Sequence, residues 1–392
     1  MDAQTSSTPA TVLPLPPGAS TPRNRQTRYA HIDALRAFAV LLVVVAHAGL
    51  GDIVPGGSGV TIFFGISGFI ITHLILTEWR KTSAFLVSGF YARRAIKLAP
   101  PLIACIIAPT LIYSLWHQVD ASQVISQLFF YYNWVHIYAA QEHVLPGSSV
   151  LWSLAIEEQF YVVFAIAWLL ALRFARDPAG AMLKLAAAAL LLAFLARILI
   201  LCSPDPGATM SEGGSNRRIY YGSDARMDSI AIGVIAAIWM HYLTLRPQLT
   251  PRLRSLVASN WTLGLAAGIY IFSLVWRDPT FRDLARYPLQ SLAAVLVVLH
   301  GLLRTAPASR ISPLGWAERS RLIQTIGLAS YSIYVIHFVI IVFLYPDLRT
   351  IKSLAPTSVA LLSLLCVASG VGVYYTLERP VQRWRLRRAA LT

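Results

Sequence analysis

The chain has 392 residues, of which 56% are hydrophobic and only 13% charged, with a mean hydropathy of +0.59. A soluble domain of this size cannot hide so much apolar surface from water, so a water-soluble globular enzyme is excluded and a polytopic membrane protein is expected. The formal charge of +15 would suit a nucleic-acid binder, but the way the charge is spread along the chain argues against one.

Residues 1–27 are rich in Pro, Ser and Thr and have no apolar stretch of the kind a cleavable signal needs, which predicts a disordered cytoplasmic tail. Ten spans are predicted near residues 32–50, 59–77, 98–116, 150–172, 182–202, 227–244, 259–276, 287–303, 323–345 and 356–377. The expected fold is therefore all-α, a bundle of about ten transmembrane helices in a single domain over 28–385, with 386–392 as a cytoplasmic C-terminal tail. The loop 117–149 contains "SQVISQLFFYYNWVHIYAAQEHV", aromatic but polar, and is expected to be interfacial or re-entrant rather than a further span. The loop 203–226, "SPDPGATMSEGGSNRRIYYGSDAR", is polar enough to meet a sugar.

Between these spans, 22 Lys and Arg residues fall on one side and eight on the other, with Arg36, Lys184 and Arg197 inside spans. That asymmetry predicts that both termini are cytoplasmic and ascribes the basic excess to topology and contact with anionic lipid. No nucleic-acid partner is expected. Cys105, Cys202 and Cys366 lie within predicted spans at no metal-ligand spacing, so core packing is expected rather than a disulfide or a metal site.

Three groups of polar residues sit where lipid or helix neighbours are expected. The first span carries Arg36 and His47; eleven residues at 100° each return to within 20°, so both lie on one face, roughly 16 Å apart along the axis. Asp33, three residues before Arg36, is placed to pair with it. Intramembrane ionisable groups are costly and often functional, although a snorkelling Arg36 and a His47 bonded to a neighbouring helix would satisfy the same pattern.

The second group is "LWSLAIEEQFYVVF" (151–164), with two adjacent carboxylates at the outer end of a span. Ser153, Glu157 and Tyr161 share a helical face, while Glu158 points about 100° away. A carboxylate beside a histidine orients the imidazole and raises its basicity; a water-exposed interfacial pair is the alternative. The third is "YARRAIKLAPP" (91–101), where Arg93, Arg94 and Lys97 are either positive-inside anchors or, with Arg94 and Lys97 one turn apart, a phosphate-binding pair.

Read together, the pattern of Arg36, ten residues and His47, then "FFGISGFIIT" (63–72), "RRAIKLAP" (93–100), "LWSLAIEEQFY" (151–161), "RMDSIAIG" (226–233), "YSIYVIHF" (331–338) and "LERP" (377–380) resembles the acyltransferase 3 family of integral membrane acyltransferases, over about residues 31–385. The resemblance implies transfer of an acyl group, usually acetyl, from cytoplasmic acyl-coenzyme A to a hydroxyl of an extracytoplasmic acceptor, mostly a saccharide or glycolipid. It places the essential Arg and His on Arg36 and His47, the conserved carboxylate on Glu157 and the basic pair on Arg94 and Lys97, where relatives more often have Arg at the second position.

The expectation is thus a bacterial inner-membrane O-acetyltransferase of a glycan, using acetyl-coenzyme A and no metal. His47 is its general base, Glu157 orients His47, and Arg36, Arg93, Arg94 and Lys97 hold the donor. Ser67, Trp152, Ser153, Glu158, Tyr161 and His337 complete the candidate set as substrate-contacting or supporting residues. Asp228, Ser229 and the "LERP" stretch are expected to be fold elements. The rival expectation is a transporter that uses the buried Arg, His and Glu residues as a proton or anion path.

Overall fold

A computed structural model describes residues 28–203, 216–245, 251–304 and 312–388; the expected tail 1–27, the middle of the 203–226 loop and residues 389–392 lie outside the described residues. Helices account for the described secondary structure, with no strand among the described residues. The chain opens with α1 (Ala30–Leu50), α2 (Gly56–Thr82) and α3 (Val87–Tyr113). Two short helices, α4 (Ala121–Leu128) and α5 (Tyr132–Tyr138), fill the 117–149 loop; at eight and seven residues neither reaches across a bilayer. Next come α6 (Ser148–Phe174), α7 (Pro178–Cys202), the one-turn α8 (Arg217–Tyr221) and α9 (Ser223–Leu245).

Helices α10 (Pro251–Ala258) and α11 (Asn260–Val275) meet at a 61° bend and lead to α12 (Pro279–Leu303). After α13 (Pro313–Arg319), α14 (Arg321–Leu328) and α15 (Ser330–Leu344) meet at a 75° bend, and the short α16 (Leu348–Ile351) precedes α17 (Pro356–Arg385). Among the described residues, eight helices are long and apolar enough to cross a membrane, or up to ten if each bent pair counts as one span. Length and hydropathy thus carry the expected number, and the two bent pairs supply the difference.

Helix ends follow local chemistry. Asp120, Asp177 and Ser320 accept from backbone N–H groups in the first turns of α4, α7 and α14. Inside α3, Pro100 and Pro101 remove two backbone donors, and the helix widens just beyond them into a π-turn at Ile103–Ile107. Among the described residues three more π-turns occur, at Ala46–Leu50 in α1, Arg282–Arg286 in α12 and Tyr374–Glu378 in α17.

The centre of the bundle is the crossing of α2 and α9. A Cβ at Gly68 would lie 2.1 Å from the carbonyl oxygen of Ile230, and one at Gly233 would lie 2.2 Å from that of Gly65. Without a hydrophobic drive between helices in lipid, such backbone-to-backbone approach is how spans associate, and the "GISGF" stretch provides it.

Beside this crossing, Arg197 of α7 is 1% exposed and ion-paired with Asp228 of α9. Its remaining donors go to the carbonyls of Ala225 (2.8 and 2.6 Å) and Leu284 (2.9 Å). Arg226 is likewise buried, donating to Thr61 at 2.8 Å with its guanidinium 3.7 Å from the centre of the Tyr287 ring. These intramembrane charges tie helices together, as expected for Asp228. The lipid side is clearest on α7, where Leu185, Leu191, Leu192 and Leu199 are exposed. Cys105 and Cys366 are buried, but Cys202 at the end of α7 is exposed, so core packing does not describe that cysteine.

Candidate active site

Two levels of polar residues lie inside the bundle, and α1 runs through both. The lower level centres on Arg36. Its Nε donates to Ser330 Oγ at 3.1 Å, and its guanidinium carbon stands 6.0 Å from the Phe63 ring centre. Ser330 is fully buried and opens α15 at the 75° break, so the break brings a helix start to the middle of the fold beside a cation. The expected Asp33–Arg36 pair does not form. Asp33 accepts instead from Arg28 Nε at 2.7 Å, because Arg28 precedes the helix and reaches back over its first turn, while Arg36 points inward.

From α3, Arg94 and Lys97 enter the same level. Arg94 is engaged twice by Glu158 of α6, with Nε to Oε2 at 3.3 Å and a shorter contact from the second nitrogen to Oε1. Tyr161, one turn further along α6, lies under the guanidinium with 3.4 Å from Cζ to the ring centre. Arg93 pairs with Glu78 at 3.1 Å. Each of these arginines, which spacing offered to a phosphate, is met here by a carboxylate from a neighbouring helix.

Glu157 differs from Glu158. It accepts from Ser67 Oγ of α2 at 3.0 Å and sits in Coulomb range of Arg94 and Arg36. The carboxylate expected to orient His47 is thus held by the "ISGF" serine at the level of the cations. Both carboxylates face partners in the interior of the bundle, roughly 10 Å along the helix from Leu151.

Lys97 is half-buried and in Coulomb range of Arg36, Glu378, Arg94 and Glu157. Among the described residues no ion pair joins Arg36 or Lys97 to a carboxylate. Glu378, in the π-turn of α17, is 1% exposed and accepts from Ser332 at 2.7 Å. The lower level therefore gathers three cations (Arg36, Arg94 and Lys97) and three carboxylates (Glu157, Glu158 and Glu378), with only Arg94 closed off in an ion pair.

The upper level centres on His47, in the π-turn of α1. Gly49 in that turn has φ +127°, a conformation glycine adopts without strain, and a Cβ there would also meet the Ile351 carbonyl at 2.6 Å. The Nδ1 of His47 lies 3.0 Å from Nε2 of His337, and the Phe338 ring centre is 4.6 Å from that of His47. His337 is fully buried, its Nδ1 2.7 Å from the carbonyl oxygen of Tyr334. Ser153 and Tyr334 join hydroxyls at 2.7 Å, and Tyr334 donates to the Val150 carbonyl at 3.0 Å. Trp152 faces the other way, against Tyr220 (5.0 Å between ring centres) and Tyr221 (4.8 Å) of α8.

Helices α1 and α15 are thus pinned at both levels, Arg36 to Ser330 and His47 to His337. Above them the 117–149 loop leaves a polar cleft of about 270 Å³ lined by Tyr113, Gln118, Glu142, His143 and Ser149, with Gly147 packed on the backbone of Phe338 and Val339. Sequence reasoning missed Ser330 and Tyr334 as members of the site, and read Glu378 of the "LERP" stretch as a fold element. The first two were legible in principle, since Ser330, Tyr334 and His337 recur at i, i+4 and i+7, one helix face. No three His, Cys, Asp or Glu side chains converge as metal ligands among the described residues.

Internal charges on a polytopic bundle, with no soluble catalytic layer among the described residues, define a membrane protein whose polar chemistry is arranged within its spans. The chain belongs to the acyltransferase domain family, whose model matches residues 29–377. It is similar to peptidoglycan O-acetyltransferase OatA of Listeria monocytogenes, with 29% identity over 83% of this chain and 52% of that protein. It is also similar to the putative peptidoglycan O-acetyltransferase YrhL of Bacillus subtilis, at 27% identity over 90% of this chain and 54% of that protein. A putative O-acetyltransferase of Staphylococcus aureus strain COL is 26% identical over 80% of this chain and 51% of its own length. The chain spans about half the length of these curated relatives. No solved structure matches it.

Proposed function

We propose that this protein is a bacterial inner-membrane O-acetyltransferase that moves an acetyl group from cytoplasmic acetyl-coenzyme A to a hydroxyl of an extracytoplasmic glycan. Its domain is the stretch 28–385, and both termini are cytoplasmic. The relatives named for peptidoglycan O-acetylation support a glycan acceptor. The observation that carries the reading is α1, which joins Arg36, a cation with no ion-pair partner among the described residues, to a histidine pair roughly 16 Å further along the same face. That division suits a donor with phosphates at one end and a thioester at the other.

In this reading Arg36 and Lys97 take the donor phosphates, and the pantetheine arm runs between α1, α2 and α6 past Ser67 and Glu157. The acceptor hydroxyl attacks the thioester carbonyl carbon as His47 takes its proton. The C–S bond then breaks and coenzyme A leaves as the thiol, its proton returned from His47. Glu157 balances the cationic level rather than orienting the base, and Arg94 with Glu158 holds α3 against α6.

Purified protein in nanodiscs, given radiolabelled acetyl-coenzyme A and candidate glycans, is expected to label the glycan. His47→Gln, which keeps a hydrogen bond but cannot act as a base, is expected to lose ~10²–10⁴-fold in turnover while still binding donor. Substantial turnover by this variant would remove His47 from the role. Cysteine labelling at Ala140 and at the C-terminus from opposite faces of the membrane tests the orientation; labelling of both from one face refutes it.

A further inference from the structure

We infer that His337 is a positioning residue that fixes the tautomer of His47 and thereby decides which of its nitrogens receives the proton. The inference rests on the reading of His47 as the base. Its starting point is a backbone carbonyl. The Nδ1 of His337 lies 2.7 Å from the oxygen of Tyr334. A carbonyl oxygen has no hydrogen to give, so Nδ1 carries the hydrogen and donates it. A neutral imidazole has one N–H, and Nε2 of His337 is therefore a lone-pair acceptor.

That acceptor lies 3.0 Å from Nδ1 of His47. Two lone pairs facing each other at this distance would repel, so the ring hydrogen of His47 sits on Nδ1 and points at His337. Nε2 of His47 is then the nitrogen that takes up the hydroxyl proton. A doubly protonated His337 would be a cation in a fully buried site whose hydrogen-bond partners are backbone carbonyls and an imidazole, with no carboxylate among them.

The relay is also held still. Tyr334 is anchored through its hydroxyl to Ser153 (2.7 Å) and to the Val150 carbonyl (3.0 Å), and Phe338 covers the His47 ring at 4.6 Å. In hydrolytic triads a carboxylate performs this orienting task. Here a neutral imidazole does so, its own tautomer set by the main chain of α15.

The test combines spectroscopy with two variants. In protein labelled with [15N]histidine and held in nanodiscs, the His47 resonances are identified by their loss in His47→Gln. They are expected to report hydrogen on Nδ1, and those of His337 likewise. A His47 signal reporting hydrogen on Nε2 in the unaltered protein would overturn the inference. His337→Gln supplies an amide oxygen in place of Nε2 and is expected to keep turnover within about tenfold, whereas His337→Met leaves only a weak thioether acceptor and should cost ~10²-fold or more in kcat, with the donor KM little changed. Turnover by His337→Met equal to that of the unaltered protein overturns the inference as well. Where the Met variant does not fold, the spectrum of the unaltered protein still decides. Failure of the base reading looks different: His47→Gln stays active while the unaltered protein still shows hydrogen on Nδ1 of both rings.

Discussion

Arg94 of α3 and Glu158 of α6 meet in a two-pronged ion pair with the Tyr161 ring 3.4 Å beneath the guanidinium. Their side chains are only 18% and 11% exposed. Taken singly, each residue looks like a site residue; taken together, they are a clasp between two helices whose charges cancel.

Removing one partner strands the other charge. Arg94→Ala is therefore expected to destabilise the fold by about 3–5 kcal/mol, and the double change Arg94→Met with Glu158→Leu to recover most of that loss. Thermal unfolding in detergent, followed by tryptophan fluorescence, measures both. A stable Arg94→Ala protein with a raised donor KM would return Arg94 to the donor site.

Lys97 and Arg36 have no ion-pair partner among the described residues and lie in Coulomb range of each other. Each charge-assisted contact to a phosphate is worth about 1.5–3 kcal/mol, so Lys97→Ala should raise the KM for acetyl-coenzyme A by roughly 10- to 100-fold. The acceptor KM should stay unchanged, and Lys97→Arg should retain donor binding. Equal effects on both substrates would argue against a donor contact.

At the α2–α9 crossing there is no room for a side chain, since a Cβ on Gly68 would stand 2.1 Å from the Ile230 carbonyl oxygen. Backbone on both sides must then move, and overpacking of this kind costs about 1–3 kcal/mol. Gly68→Ala is expected to lower Tm by several degrees and Gly68→Val to lose most folded protein. Gly264→Ala, where a Cβ would meet nothing within 4 Å, is the matched control. Size-exclusion profiles of fluorescent fusions report all three.

In the loop outside the spans, Glu142 is bonded to His136, which itself belongs to α5. Burial pushes Glu142 up, but the hydrogen bond and charge of His136, helped by the nearby Tyr132 hydroxyl and the Arg217 charge, outweigh it, leaving the carboxyl below its ordinary 4.5. A depressed value means that the stabilisation is complete above pH 4.5 and is lost as pH falls through the folded value. Proteolysis of the 117–149 loop should accelerate in that acid window, and Glu142→Gln should be susceptible already at neutral pH. A loop equally protected in both proteins at every pH would show that the pair does not hold it.

How much of this was legible beforehand differs between fold and site. Hydropathy alone determined a polytopic helical membrane protein and, to within the two bent pairs, its number of spans. The eleven-residue spacing placed Arg36 and His47 on one face of α1, and each indeed meets α15. These are properties of single segments, fixed by transfer from water to lipid and by the helical repeat, so a sequence states them directly.

Partnership was another matter. Local spacing offered Asp33 to Arg36, and the chemistry of a carboxylate beside an imidazole offered Glu157 to His47; the fold gives Arg36 to Ser330, Asp33 to Arg28, Glu157 to Ser67 and His47 to His337. The last two partners are 290 residues apart in the chain, and they meet because α1 widens into a π-turn at Ala46–Leu50 and because α14 and α15 break by 75°. Neither irregularity has a hydrophobic period of its own. Only the packing of distant helices decides where a turn widens or a span breaks, and with it which of several nearby polar groups satisfies a charge that lipid will not.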